Sequence, residues 1–577
     1  MTIQQKTYSV SLSDTEPGRR DETLISDMTC AVPGSAWALD GTVFSPLPEA
    51  PAGKWRIVDY RCKAYSGRML TTACADAVPL RIPLHRSGWH AVSIGIAARI
   101  FPSAIEVRFG PDGQWQTLFA KSSCEEPWVF ADLTGRDLEI RYPRNMHTLP
   151  WYPHRMWENG FIANLMSVRL TPVRDEHLPI VTTKRHRRMV YTNDGHGIFW
   201  NAAQPGKHIV ADALAKFAHS DWDVCCFGSG CADNVNFGSE VGTLLSEGGW
   251  DYARRNDGRL GLILREMING GIDPMKQAVD TAHANGQEFW VYSRPQGWVQ
   301  PWPHDHAFRS QFYTEHPQWR CVEADGQCIA QMSIAYKEVR RQLNEVLREI
   351  VERGADGVCI ALVRGWPLVR YEEPVRERFR ALYGRDARSV PDTDPALLLV
   401  WREFVTQWFT ELRAMLDAAG PKPTGPRRKI AIICGANLEW NMRHGVDVVD
   451  LAGRKLLDAV LPYPHTLNKN CTHPSSEIEI EQYVHALADT EVELMPSLGY
   501  YFDHDMGLAQ YRRLAWAFYR SGATGLSRWD AAGYLAHVGL NDDKLNELWC
   551  EHYMPLQDIT LTELNGLPLG PIPIVGG

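Results

Sequence analysis

Lys337-Glu338-Val339-Arg340-Arg341-Gln342-Leu343-Asn344-Glu345-Val346-Leu347-Arg348-Glu349-Ile350-Val351-Glu352-Arg353-Gly354-Ala355-Asp356-Gly357-Val358-Cys359-Ile360-Ala361-Leu362-Val363 changes period partway along. Up to Arg353 the apolar residues Val339, Leu343, Val346, Leu347, Ile350 and Val351 fall on one helical stripe, which stops at Gly354. From Gly357 the residues run apolar without alternation, as in a parallel strand covered on both faces. Working outward, the same unit recurs. Met189–Thr192, Val224–Phe227, Glu288–Tyr292 and Gly357–Val363 read as strands, followed by Lys429–Cys434, Ala459–Leu461, Glu491–Met495 and Ala523–Ser527. Between them lie helical patterns at Asp273–His283 (Asp cap, then Pro at the first helical position), 401–418, 477–488 and 508–521. Eight strand–helix units in series predict a (β/α)₈ barrel over 185–540. That span exceeds the roughly 250 residues typical of such barrels. The excess sits in loops after the second, third and fourth strands, which favours an enclosed site.

Upstream, residues 1–175 alternate with period 2 in short runs: Trp55–Tyr60, Leu80–Leu84, Trp89–Ile94, Ala104–Phe109, Trp128–Ala131, Leu138–Tyr142 and Ile162–Leu170. Turn signals such as Gly110-Pro111-Asp112-Gly113 separate them, so an antiparallel β-sandwich is predicted ahead of the barrel. The basic run Lys184-Arg185-His186-Arg187-Arg188 reads as a solvated linker. Residues 541–577, rich in proline and glycine towards their end, read as a tail packed along the barrel.

The 577 residues carry a net charge of −9, the wrong sign for a nucleic-acid protein. No apolar run approaches the roughly 20 residues of a membrane span. Met1–Lys6 has no apolar leader character, so the 13 cysteines read as reduced thiols in a cytoplasm. The 21 tryptophans offer flat apolar faces suited to sugars as well as to core packing.

Several segments resemble the bacterial glycosyl-hydrolase-like family-10 group. They are Gly271-Ile272-Asp273-Pro274, Ala282-His283-Ala284-Asn285-Gly286, Phe312–Trp319, Ala355-Asp356-Gly357-Val358, Arg364-Gly365-Trp366-Pro367 with Tyr371-Glu372-Glu373-Pro374, His444–Val448 and Leu456–Pro462. The likeness runs over roughly 189 to 535. It implies a carbohydrate-active barrel and places an acid in the fourth loop, at Glu372.

Glycoside cleavage needs two carboxyl groups across the scissile bond, about 5–5.5 Å apart for retention or about 6.5–9.5 Å for inversion. A barrel presents such groups just beyond its strand ends. The catalytic candidates are therefore Glu372, with Asp194, Glu439 or Asp530 as partner; Asp503 and Asp505 follow the seventh strand. Arg294 and Arg364 suit a carboxylate or a sugar acid, and Trp366, Tyr371, Tyr500 and Trp529 suit a sugar face, as do Trp298, Trp302 and Tyr501. His304-Asp305-His306 and Cys225-Cys226 with Cys231 lack zinc spacing, so no metal and no cofactor is expected. Asn470-Cys471-Thr472 fits a glycosylation pattern only in an exported chain.

The reading is a cytoplasmic glycoside hydrolase acting on a carbohydrate, with no nucleic-acid or membrane partner and with oligomeric state, homo-oligomer included, left open. The fourth strand, Cys359–Val363, carries no carboxylate. That keeps a non-catalytic carbohydrate-binding barrel as an alternative. The arginines keep a sugar-acid lyase or isomerase as another.

Overall fold

The structure is a computed structural model, and it describes residues 22–39, 54–99, 102–143, 162–200, 206–246, 255–299, 308–363, 366–422, 425, 427–464, 478–499, 507–531 and 535–570. The chain divides into two compact units. One takes Met1–His186, Phe502–Trp516 and Ala532–Gly577; the other takes Arg187–Tyr501 and Ala517–Ala531.

The second unit is built on eight parallel strands: Arg188–Asn193, Val224–Gly228, Glu288–Ser293, Gly357–Ala361, Lys429–Cys434, Ala459–Pro462, Glu493–Leu494 and Gly525–Arg528. The first seven pair in register with their neighbours in chain order, and the first also pairs with the eighth. The seventh and eighth close the ring through the parallel bridge Ser497↔Ser527 and the bonds Leu498 N–H to Ser527 O (2.7 Å) and Ser527 N–H to Pro496 O (3.0 Å). The apolar runs that predicted these strands are buried: every residue of Val224–Gly228 and of Gly357–Ala361 is out of solvent. The predicted helix caps form as well. Asp273 accepts from Met275 and Lys276 N–H, both at 3.0 Å, ahead of Pro274–Ala284. Lys337–Glu352 buries the stripe Val339, Leu343, Val346, Leu347, Ile350 and Val351.

The first unit holds two largely antiparallel sheets. The larger runs Leu567–Pro568, Leu561–Leu564, Trp55–Cys62, Ser66–Thr72, Ala163–Pro172, Trp89–Ile96, Cys124–Asp132, with Thr23–Ile25 and a parallel Trp37–Leu39 at its margins. The smaller runs Leu80–Ile82, Leu138–Arg141, Ser103–Phe109, Gln116–Ala120. Here the tail departs from expectation. Leu561–Leu564 pairs with Trp55–Cys62 and extends the larger sheet, because its backbone groups complete that strand's open edge. Buried ion pairing ties this unit's segments. The Arg169 guanidinium grips Glu125 through Nε (2.7 Å) and Nη2 (2.9 Å), and Tyr65 OH donates to the same carboxylate. The fully buried Arg512 donates to the carbonyls of Pro127, Trp128 and Val538.

Among the described residues no helix is long and apolar enough to cross a membrane.

Candidate active site

The first strand ends in Asn193-Asp194-Gly195-His196, and its turn is tight. Gly195 adopts φ +74°, and a Cβ there would lie 2.0 Å from the Gly228 carbonyl oxygen. Asn236 fastens the same contact from the side, its Nδ2 donating to Gly195 O (3.0 Å) and Gly228 O (2.8 Å). The turn leaves Asp194 5% exposed at the strand's C-terminal end.

The eighth strand, adjacent to the first, ends in Trp529-Asp530. Asp530 takes φ +46°, a left-handed conformation that an aspartate adopts at a cost and that neighbouring contacts must enforce. Two bonds do so: its N–H donates to Thr192 Oγ1 at 3.0 Å, and its Oδ1 accepts the Asp194 N–H at 3.3 Å. The Asp530 carboxylate thus meets the backbone of Asp194, and both residues are nearly buried.

Arg294, just past the third strand, completes the group. Its Nη2 donates to Asp194 Oδ1, and its Nε donates to the Tyr292 hydroxyl at 2.7 Å. Burial works to lower the guanidinium's proton affinity, but the charge of Asp194 and the Tyr292 contact raise it further. The phenol of Tyr292 is pushed upward, by burial first and then by Asp194 and Asp530 against the pull of Arg294, so it stays protonated. Trp529 forms the wall: its ring lies 5.2 Å from the Arg294 guanidinium carbon, edge-on to Tyr292 (5.4 Å, 86°) and 4.9 Å from Tyr463. Lys216 is half-buried as a residue, and its ammonium is the enclosed end. Burial pushes it down to about 8, against the attraction of Asp530.

The structure therefore brings together Asp194, Asp530, Arg294 and Trp529 of the residues picked from sequence. Glu372 lies elsewhere. It is 1% exposed, and its carboxylate accepts the N–H groups of Val322 (3.0 Å) and Arg370 (2.9 Å), anchoring the loop to the hairpin Arg320–Met332. Burial raises its proton affinity while those N–H donors oppose the rise. This geometry gives it a loop-fastening role and lends no support to the fourth-loop acid. Glu439 points outward, its side chain 78% exposed and paired with Arg443 at 2.7 Å. Tyr371 is buried against Trp401, its hydroxyl donating to Val390 O at 3.4 Å. Trp366 stacks on His444. Arg364, Tyr500, Tyr501, Trp302, Asp503 and Asp505 lie outside the described residues, as do His304-Asp305-His306 and Asn470-Cys471-Thr472.

Sequence reading missed Tyr292, Thr192 and Lys216. Tyr292 carried a signal, as the single phenol inside an apolar strand two residues before a candidate arginine. Lys216 carried none, because Asp530, whose charge acts on it, lies more than 300 residues further along the chain. Among the described residues no group of three or more His, Cys, Asp or Glu side chains is placed to hold a metal ion.

Fold and site define a parallel eight-stranded barrel with paired acids beyond its strand ends. No protein-family model matches the sequence, and no curated protein matches it. Among solved structures the chain is similar to an alpha-galactosidase from Thermus thermophilus, with 11% identity, 86% of this chain and 95% of that chain covered, and a TM-score of 0.35. It is also similar to the maltogenic alpha-amylase AmyB from Thermotoga neapolitana (11% identity, 68% and 72% covered, TM-score 0.31). A third is a GH26-CBM35 beta-(1,4)-mannanase from Podospora anserina (10% identity, 93% and 96% covered, TM-score 0.26).

Proposed function

We propose that the protein is a glycoside hydrolase whose reacting carboxyl groups are Asp194 and Asp530. The observation that carries this is that both acids follow adjacent strands at their C-terminal ends, with the Asp530 carboxylate on the Asp194 backbone N–H and the Asp194 carboxylate on Arg294. Arginine beside a carboxylate favours its ionised form, and neighbouring acids resist ionising together. Asp194, gripped by Arg294, acts as the ionised member that attacks the anomeric carbon or activates water. Asp530 carries the proton for the leaving oxygen. Trp529 and Arg294 form the substrate-facing wall. The two sheets of the first unit, with alternate burial along Trp55–Cys62 and Leu138–Arg141, fit the sandwich that accompanies this reading. Thiols buried as core residues at Cys225, Cys226, Cys359 and Cys434 fit a reducing, cytoplasmic setting.

The test is turnover of aryl glycosides and disaccharides of several sugars by wild type, Asp194→Asn and Asp530→Asn. Either variant loses about a thousandfold in kcat if these groups move the proton and attack the sugar. Wild-type turnover retained in both variants removes the pair from the mechanism. The non-catalytic alternative is favoured by the near-complete burial of both acids, and it predicts saccharide binding without product.

A further inference from the structure

We propose that Trp366, Trp440 and His444 form a second subsite of the barrel mouth, one that takes a neutral hydroxylated ring of an oligosaccharide. The proposal rests on the glycoside reading above and names its substrate class.

The indole of Trp366 lies flat on the His444 imidazole, with centroids 4.2 Å apart and planes 13° from parallel. Trp440 meets the same imidazole at 5.2 Å and 70°. Trp440 is held by the turn after the fifth strand, where a Cβ at Gly435 would lie 2.4 Å from its ring. Trp366 Nε1, Trp440 Nε1 and His444 Nε2 are all shielded from solvent and find no hydrogen-bond partner among the described residues. A shielded polar group left unmet costs about 1–3 kcal/mol. Isolated cases occur in any fold. Three in one aromatic cluster at a barrel mouth point to a bound partner that supplies what the chain does not.

The cluster's chemistry selects that partner. Indole N–H donates only, whereas a neutral imidazole nitrogen accepts or donates. Burial first, then the charges of Arg370 and Arg443, push His444 down to about 4, so the imidazole is neutral at neutral pH. Glu439 neutralises Arg443 on the outer side. Two donors and one adaptable nitrogen among aromatic faces match sugar hydroxyls, which both accept and donate, on a ring whose C–H face is apolar.

Position sets the ligand's length. Trp366 follows the fourth strand, and Trp440 and His444 follow the fifth; Asp194 and Asp530 follow the first and eighth. In the ring, the second and third strands intervene on one side and the sixth and seventh on the other. A strand spacing of about 4.8 Å and a tilt of about 36° make an eight-stranded barrel about 15 Å across. A ligand that engages both groups is therefore longer than one sugar ring.

The test uses the full chain and tryptophan fluorescence titration with cellotriose, maltotriose, xylotriose and mannotriose, with trigalacturonic acid as charged control. Trp440→Phe and Trp366→Phe keep the aromatic faces and remove one donor each, and circular dichroism confirms that both fold. At least one neutral trisaccharide binds wild type, and each variant weakens it about tenfold. Affinity equal to wild type in both variants overturns the subsite, as does the absence of any neutral trisaccharide binding. Turnover separates the two readings. Binding that the variants weaken, with no product from wild type, leaves the subsite standing and removes the hydrolase. Product formation whose trisaccharide-to-aryl-monoglycoside ratio of kcat/KM is the same in wild type and both variants removes the subsite and leaves the hydrolase.

Discussion

At the N-terminal end of the barrel, Arg188, Glu288, Lys429 and Glu493 are the first residues of the first, third, fifth and seventh strands. Arg188 reaches Glu288 at 2.6 Å and Glu493 at 3.4 Å, Lys429 reaches Glu493 at 2.6 Å, and Lys422 reaches Glu288 at 2.8 Å. Glu288 and Glu493 each face two cations. At the C-terminal end, one arginine grips Asp194, whose backbone N–H reaches Asp530, and Asp530 sits on a left-handed backbone. The floor spends its charges on one another. At the mouth the left-handed backbone of Asp530 stands beside Asp194 and Arg294, an unrelaxed conformation of the kind that clusters at functional sites.

The sharpest way to break this contrast is Asp194→Asn. If the mouth is chemical, turnover falls about a thousandfold while the urea midpoint moves little; a large midpoint shift with proportionate activity loss would make Asp194 a structural acid like those of the floor. Arg294→Lys comes next. One ammonium does not reproduce a fork that contacts both Asp194 and Tyr292. Charged hydrogen bonds are worth about 1.5–3 kcal/mol, so kcat drops about 10- to 150-fold, and the acid limb of the pH profile moves to higher pH as Asp194 loses its partner. A profile identical to wild type separates Arg294 from the chemistry.

How far these regions were legible follows from which contacts are local. The barrel strands were visible because Val224–Gly228 and Gly357–Ala361 carry unbroken apolar runs that a sheet buried on both faces requires. Ser66–Thr72 was missed. It is a strand because Gly67 fits against Ser26, where a Cβ would lie 2.0 Å from the carbonyl oxygen, and that neighbour is 41 residues away. Leu561–Leu564 is paired with a strand almost 500 residues upstream, which no local period records. In the proposed site, the clustering of Asp194, Arg294 and Asp530 was foreseeable because each stands within two residues of a strand's end. The N–H groups that Glu372 receives were not legible, because a loop acid looks the same in sequence whether it faces a substrate or fastens backbone.

At the floor, Glu493→Ala leaves Arg188 and Lys429 facing each other without their shared acid. These side chains are about a quarter exposed, between the weak surface pair and the costly buried one, so the loss is about 2 kcal/mol in urea unfolding, with kcat unchanged. Activity loss beyond the unfolded fraction would make the floor part of the site. Acid titrates the same end. Burial raises the proton affinity of Glu288, but Arg188 and Lys422 more than offset it, and its pKa is lowered overall. A lowered folded value means stability present above the ordinary glutamate pKa of about 4.3 and lost as pH falls through the folded one. Unfolding free energy measured from pH 6 to 3 should fall at the acid end in wild type and fall less steeply in Glu288→Gln; equal slopes would show that Glu288 contributes nothing there.

The smallest expected effect belongs to Glu439→Ala, and its smallness is what makes it informative. Glu439 and Asp194 both follow barrel strands, both pair with an arginine, and sequence alone ranks them together. They differ in solvent. The Glu439 side chain is 78% exposed and its Arg443 partner 53%, against 6% for Asp194 and 17% for Arg294. Water screens the first pair, so removing it changes stability by less than about 0.5 kcal/mol and leaves turnover intact. If Glu439→Ala instead costs activity on the scale of Asp194→Asn, the reacting acids lie on the fifth-strand side of the mouth, and the pairing of the first and eighth strands is scaffold.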